Sequence, residues 1–369
     1  MESMLDRLRP WIECESPTTD AAAVDRMMDL AARDFVAAGA SIERIPGRMG
    51  FGGALRVRFP HRDIGKPGIL VAGHFDTVHP VGTLQSLPFR REGNLCYGPG
   101  ILDMKAGNFA AFEAMRQIVR AKLETPLPVT FLFTPDEEFG TPSTRDIVES
   151  EGGRSRYVLI PEPAREDGGA IIGRYAIARF NLTAHGRPSH AGSALRKSGR
   201  SAIARFAAKI AEIEAMTDES CTFSVGVIRG GEWVNCVSSL CTGEALSMAK
   251  RQEDLDRGIA AMLALSGEAD GVEFVVKRGV TRPVWSPDNP GTQALYEIAR
   301  DIAGEIGFEM SARSEGGGSD GNFTGAMGIP TLDGLGVRGR DLHTLNEHIE
   351  VDSLVERARL FAALLTRLD

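Results

Sequence analysis

Short apolar runs alternate with longer stretches of helical periodicity along the first 173 or so residues of this chain. The runs near 53–59, 68–73 and 128–134 are strand-length and bounded by polar loops. Apolar spacing near 20–38 and 105–121 fits amphipathic helices instead. That alternation predicts an α/β layer fold, in which ligands bind in the loops beyond the C-terminal ends of the strands.

From about 174 the pattern changes. Strand (177–184), helix (198–215), strand (221–228), strand (234–247), helix (252–265) and strand (272–279) follow one another. This is a βαββαβ unit of about 110 residues, the size of an independent small domain. After Pro283 and the turn at Pro287 to Pro290, a helix (292–306) and a short strand (330–332) resume the first pattern. A chain of 369 residues exceeds what one core usually serves. We therefore expect one domain built from 1–173 and 285–369, interrupted by a second at 174–284.

Composition narrows the function. The net charge of −8, with no long Lys/Arg cluster, argues against nucleic acid or an anionic membrane as partner. The N-terminus reads as an amphipathic helix without signal-peptide character, and no run approaches membrane-spanning length. Five cysteines (Cys14, Cys96, Cys221, Cys236, Cys241) are scattered without C-x-x-C spacing, which predicts free thiols and a cytoplasmic location.

The chemistry-bearing residues cluster where strands end. Gly73-His74-Phe75-Asp76 follows an apolar run, and a carboxylate two residues from a histidine can orient its ring for metal binding. Asp103 stands just before a helix, where it could equally serve as an N-cap. The strand ending at Phe133 discharges into Asp136-Glu137-Glu138, whose adjacent glutamates would point to opposite sides of an extended segment. Glu162 is bracketed by Pro161 and Pro163, and His343 precedes the last helix. Together His74, Asp103, Glu138, Glu162 and His343 form a nitrogen and oxygen ligand set without thiolate. Such a set suits two Zn²⁺ per subunit, with Co²⁺ or Mn²⁺ as substitutes. Without cations these carboxylates, with Asp76 and Glu137 beside them, would repel one another.

On these motifs, joined by Arg187-Pro188-Ser189-His190-Ala191-Gly192, Gly316-Gly317-Gly318-Ser319-Asp320 and His343-Thr344-Leu345-Asn346-Glu347, the chain resembles the M20 family of metallopeptidases over nearly its whole length. It is most similar to the glutamate carboxypeptidase branch. The resemblance implies a zinc-exopeptidase-like α/β/α catalytic domain interrupted by a smaller ferredoxin-like lid and dimerisation domain. It implies that Asp103 bridges two zinc ions, with His74 and Glu162 completing one site and Glu138 and His343 the other. Glu137 would be the general base, and a cis peptide would follow Asp103. His190 would donate to the oxyanion, reaching the partner subunit's site in dimeric relatives, so a homodimer joined through the lid is expected.

For substrate, Arg282 resembles the arginine that grips a substrate carboxylate in that branch, with a surface hinge charge as the lesser alternative. Asn235 matches a substrate-contacting asparagine, and Gly317 and Gly318 offer an anion-holding nest. The family's Asp-x-Arg at the end of the following strand is replaced around Ser247-Met248-Ala249-Lys250. Glu347 could orient His343 from one helical turn away, but capping the last helix is the expectation here. The reaction implied is release of a C-terminal glutamate or aspartate from an N-acyl, peptidyl or folate-like substrate. The alternative is an N-acyl amino acid deacylase of the acetylornithine or succinyl-diaminopimelate type.

Overall fold

In the computed structural model, which describes residues 2–192 and 198–369, the apolar run after Pro67 becomes the strand Gly68–His74, buried at all seven positions. Successive side chains of a strand leave opposite faces, so a strand apolar throughout needs cover on both. Ile69 and Val71 join one core with Phe131 and Phe133, whereas Leu70 and Ala72 join another with Leu132 and Val158. Helices Glu2–Glu13, Ala21–Ala37, Ala106–Arg120, Pro290–Ile306 and Val351–Arg367 bring Trp11, Phe35, Phe109, Leu295 and Phe361 to the first core. Helices Arg145–Gly152 and Gly321–Ala326 bring Val148 and Phe323 to the second. The result is the expected α/β/α arrangement.

The six strands lie in the order Ser41–Ile45, Ala54–Arg58, Val129–Thr134, Gly68–His74, Ser155–Leu159, Thr331–Leu332. The last four run parallel, and the first two are antiparallel additions at one edge. Parallel pairing sends the C-terminal ends of Gly68–His74, Val129–Thr134 and Ser155–Leu159 to a single edge of the sheet. The loops carrying His74, Glu137, Glu138 and Glu162 therefore emerge side by side. Phe35 packs against Phe59, Phe112, Phe131 and Phe133 at centroid distances of 4.7–6.2 Å. Truncating such a ring to alanine costs about 3–5 kcal/mol.

A second sheet in this unit runs Gly339–Arg340, His348–Glu350, Leu95–Tyr97, Arg90–Glu92. Its pairing of His348 with Tyr97 sets the loop that carries His343 beside the loop that carries Asp103. Those loops are far apart in sequence, and this ribbon brings them together.

Contacts divide the chain into two units, Met1–Gly173 with Trp285–Glu315 and Ser319–Asp369, and Arg174–Val284 with Gly316–Gly318. The smaller unit is an antiparallel sheet in the order Cys221–Gly230, Leu240–Ala249, Ala176–His185, Val272–Arg282, Gly267–Ala269. Helices Ala202–Glu214 and Gln252–Ala264 cover one face, where Phe206, Leu255 and Met262 meet Phe180, Leu182 and Phe274. Two details depart from the sequence reading. The strand expected over 234–247 is two pieces, because Cys236–Val237 pairs with Ser189–His190 while Leu240–Ala249 joins the main sheet. An additional edge strand, Gly267–Ala269, folds back through Asp270 (φ 54°) and Gly271 (φ 73°). Those positive angles are what an Asp-Gly two-residue hairpin turn requires.

Candidate metal centre

His74 closes its strand with its side chain buried, and its Nδ1 lies 2.9 Å from the backbone oxygen of Asp76. A carbonyl oxygen only accepts, so Nδ1 carries a hydrogen and Nε2 faces the carboxylates of the cluster. The Asp76 carboxylate is farther from the ring, at 3.5 Å. The expected orientation of His74 thus comes chiefly from the main chain of Asp76. Its carboxylate accepts the N–H of Glu137 on Oδ1 and that of Glu138 on Oδ2, both at 3.2 Å, with Thr18 Oγ1 donating to Oδ2 at 2.8 Å. The glutamates do not lie on an extended segment. Glu137–Phe139 forms a tight 3-10 turn, and the Asp76 carboxylate caps its free amides.

Asp103 does not cap a helix either. The helix Ala106–Arg120 begins without a side-chain cap, and the Asp103-Met104 peptide is cis. Asp103 instead directs its two oxygens to two histidines, Oδ1 to His74 Nε2 at 3.2 Å and Oδ2 to His343 Nε2 at 3.0 Å. Glu162 Oε1 stands 3.7 Å from His74 Nε2, and Glu138 Oε1 3.3 Å from His343 Nε2. Glycine at 107 matters here, because a Cβ there would collide with the Pro161 carbonyl and push the helix start from the loop that bears Glu162. Glu137 borders the cluster, its Oε2 3.9 Å from His74 Nε2.

Two donor groups result, His74, Asp103 and Glu162, and Asp103, Glu138 and His343, with ligand atoms inside each within 4.8 Å of one another. Donors around one tetrahedral Zn²⁺, with bonds of about 2.0–2.1 Å, stand roughly 3.3 Å apart. The 3.0–3.7 Å separations fit that spacing. Charge fits as well. Burial and the Asp103 charge push the Glu162 carboxyl well above the usual range, and the same two causes raise Glu138. Burial opposes charge on Asp103, yet hydrogen bonds from His343 and His74 hold it well below the ordinary carboxylate value. Hydrogen bonds to Asp103 and Glu138 push His343 up to about 10. Burial works against a charged His74, but the Asp103 and Asp76 contacts outweigh it and raise its pKa. Protons on the histidines thus fill, in part, the role of cations among crowded carboxylates.

Glu347 corrects the sequence reading. The last helix, Val351–Arg367, has no side-chain cap, and Glu347 is wholly buried beneath the Asp103 loop. Its Oε1 accepts from Leu102 N at 2.8 Å and Asp103 N at 3.1 Å, and its Oε2 from Gly100 N at 3.1 Å. The His79 ring joins Oε2 at 2.6 Å. His79 and Thr18 went unnoticed in the sequence. Asn108, another omission, donates to the His74 carbonyl at 2.7 Å.

The remaining candidates lie in the smaller unit. His190 pairs in register with Cys236, Ala191 N donates to Asn235 O at 2.8 Å, and Gly192 N donates to His190 Nδ1 at 3.1 Å. With Nδ1 accepting, the hydrogen resides on Nε2. Arg282 is buried, and a Cβ at Gly318 would collide with its stem. Gly317 sits at φ 84° with its carbonyl 3.4 Å from Arg174 Nη1. At the altered strand end, Ser247 Oγ meets Cys221 Sγ at 3.1 Å.

Comparison with known proteins covers this whole constellation. The model of Peptidase family M20/M25/M40 matches residues 70–367. Carboxypeptidase G2 of Pseudomonas sp. (strain RS-16) is 28% identical over 315 residues, spanning 82% of this chain and 74% of that protein. Succinyl-diaminopimelate desuccinylase of Azoarcus sp. (strain BH72) is 27% identical over 354 residues, 87% of this chain and 88% of that protein. The aminopeptidase PepT structure from Bacillus cereus ATCC 10987 superposes with a TM-score of 0.73 at 24% identity, covering 99% and 98% of the two chains.

Proposed function

We propose, from the premise that the chain belongs to peptidase family M20/M25/M40 and is a metal-dependent hydrolase, that it uses two zinc ions to release a C-terminal acidic amino acid from an amide-linked substrate. The observation that carries this reading is Asp103, whose two oxygens face two separate His and Glu pairs. Co²⁺ or Mn²⁺ would suit the same donors.

His74, Asp103 and Glu162 hold one ion, and Asp103, Glu138 and His343 the other. When bound, the ions supply Lewis acidity that acidifies a water and polarises the amide carbonyl. Glu137 takes the proton of the attacking water and returns it to the leaving nitrogen. His190, with its hydrogen on Nε2, donates to the developing oxyanion. Asp76 fixes the His74 ring and the Glu137 turn from behind.

The substrate's free carboxylate is bound by Arg282, with Asn235 and the backbone at Gly317 and Gly318 as further contacts. A buried guanidinium beside a glycine turn, and the similarity to carboxypeptidase G2, support this choice. The protein acts in the cytoplasm, a reading supported by five free cysteines, and as a homodimer joined through the smaller unit. Similarity to a desuccinylase over 87% of the chain favours a second reading, an N-acyl amino acid deacylase.

The test is amino acid release by zinc-loaded protein from N-acyl glutamate, N-acyl aspartate, N-acyl-ornithine, succinyl-diaminopimelate and a folate, with Glu137→Ala as blank. Release confined to glutamate and aspartate supports the carboxypeptidase reading. Preference for ornithine or diaminopimelate release supports the deacylase.

A further inference from the structure

A fully buried carboxylate outside both donor groups stands behind Asp103. Glu347 accepts three backbone N–H bonds from one loop, at Gly100, Leu102 and Asp103, and a fourth contact from His79 Nε2. Four partners saturate the sites of a carboxylate. Gly100, at φ 67°, turns the loop so that its amides converge, which makes the Asp103 loop an anion nest occupied by a side chain of the same protein.

The connections follow the metal centre closely. Glu347 lies four residues from His343, binds the N–H of Asp103 itself, and through His79 grips the segment that began with His74 and Asp76. We infer that Glu347, with His79 as its partner, is the positioning residue that sets Asp103 between its two donor pairs, and so controls whether both ions bind together. This inference rests on the two-ion reading above.

The physical reason is leverage. A bridging carboxylate must keep two metal–oxygen distances to a few tenths of an ångström at once, and Asp103 is partly accessible, its two oxygens directed at the two histidines. Its backbone N–H is held by a buried charge, and a charge-assisted bond is stiffer than a neutral one. Outer partners of ligands typically carry 10–100-fold in metal affinity, roughly. Glu347 is wholly buried, so its loss should appear in kcat and in metal retention, leaving KM alone.

The test compares wild type, Glu347→Gln, His79→Leu and His79→Gln by zinc stoichiometry after dialysis, chelator competition for each zinc, kcat and KM. His79→Gln keeps an N–H donor near the Nε2 position, and it keeps the proposal testable should Glu347→Gln fail to fold. The expected result is two tight zinc ions in wild type, a second zinc weakened about tenfold or more in Glu347→Gln and His79→Leu, kcat reduced with KM unchanged, and recovery in His79→Gln. Two equally tight ions and wild-type kcat in both disruptive variants, with lower unfolding temperature alone, would overturn the positioning role and leave the two-ion reading intact. A single zinc in wild type would overturn that reading, and the positioning role with it.

Discussion

The Asp76 carboxylate receives the backbone N–H of Glu137 at 3.2 Å, across 61 residues of sequence. The same carboxylate receives Glu138 N, and the carbonyl of Asp76 fixes the His74 ring. One residue thereby places a ligand of each proposed ion and the proposed base. Asp76→Ala should reduce zinc affinity and kcat each by about 10–100-fold, and Asp76→Asn, which keeps one acceptor, should lose less. Chelator competition and steady-state kinetics on the two variants check this. Equal losses in both would contradict the reading that each carboxylate oxygen holds one amide of the Glu137 turn.

Glu137 borders the cluster without belonging to either donor group. Glu137→Gln should therefore lower kcat by about 10²–10⁴-fold while zinc content stays at the wild-type level. Loss of zinc in that variant would make Glu137 a ligand.

Metal binding should release protons. In the metal-free chain His343 is pushed up to about 10, His74 is raised above its ordinary value, and Glu162 is raised by burial. At neutral pH His343 holds a proton that a metal ligand cannot keep, and the upward shifts of His74 and Glu162 act in the same direction. Apparent zinc affinity should rise with pH from 6 toward 10, because His343 gives up its proton unaided only near the upper end. For the metal-free fold the sign is opposite. A raised histidine pKa stabilises below the unfolded value near 6.5, and that contribution disappears as pH climbs toward 10. Zinc calorimetry at pH 7 in buffers of different ionisation enthalpy should register a release of about one proton or more per chain. Heats independent of buffer would contradict this.

The sequence made the parallel strands and their loops legible because a strand buried on both faces is apolar at every position, as Gly68–His74 is. The ligand candidates followed, since His74 ends such a strand and Glu138 and Glu162 stand just past its two neighbours. Glu347 was misjudged for a physical reason. Four-residue spacing from His343 suggests a helical turn, but the segment is a loop with Asp341 at φ 59° and His343 at φ 64°. Its true partners lie 244 to 247 residues away, across a ribbon of two- and three-residue strands that have no periodicity to read. His79 was invisible for the same cause. At the split of 234–247 into two pieces, Ser238 Oγ donates to Leu240 O at 2.7 Å, a local bond no hydrophobic pattern records.

Lys105, next to the cis peptide's methionine, is fully buried with Nζ donating to Cys14 O at 2.8 Å. Burial lowers its pKa to about 8, although nearby Glu347 and Glu15 oppose the shift. The folded value lies below the unfolded one near 10.4, so the unfolded chain binds more protons between those limits and stability from this group rises with pH there. Urea unfolding of zinc-loaded wild type and Lys105→Met at pH 7.5 and 10 isolates the effect. Wild type should gain on the variant at the higher pH, and a constant difference would mean that Lys105 keeps an ordinary pKa.

The most direct test of the account is anomalous diffraction at the zinc edge from crystals of the zinc-loaded protein. Two peaks about 3.5–4 Å apart should flank Asp103, one bonded to His74 and Glu162 and the other to Glu138 and His343. A single peak, or peaks away from Asp103, would contradict it.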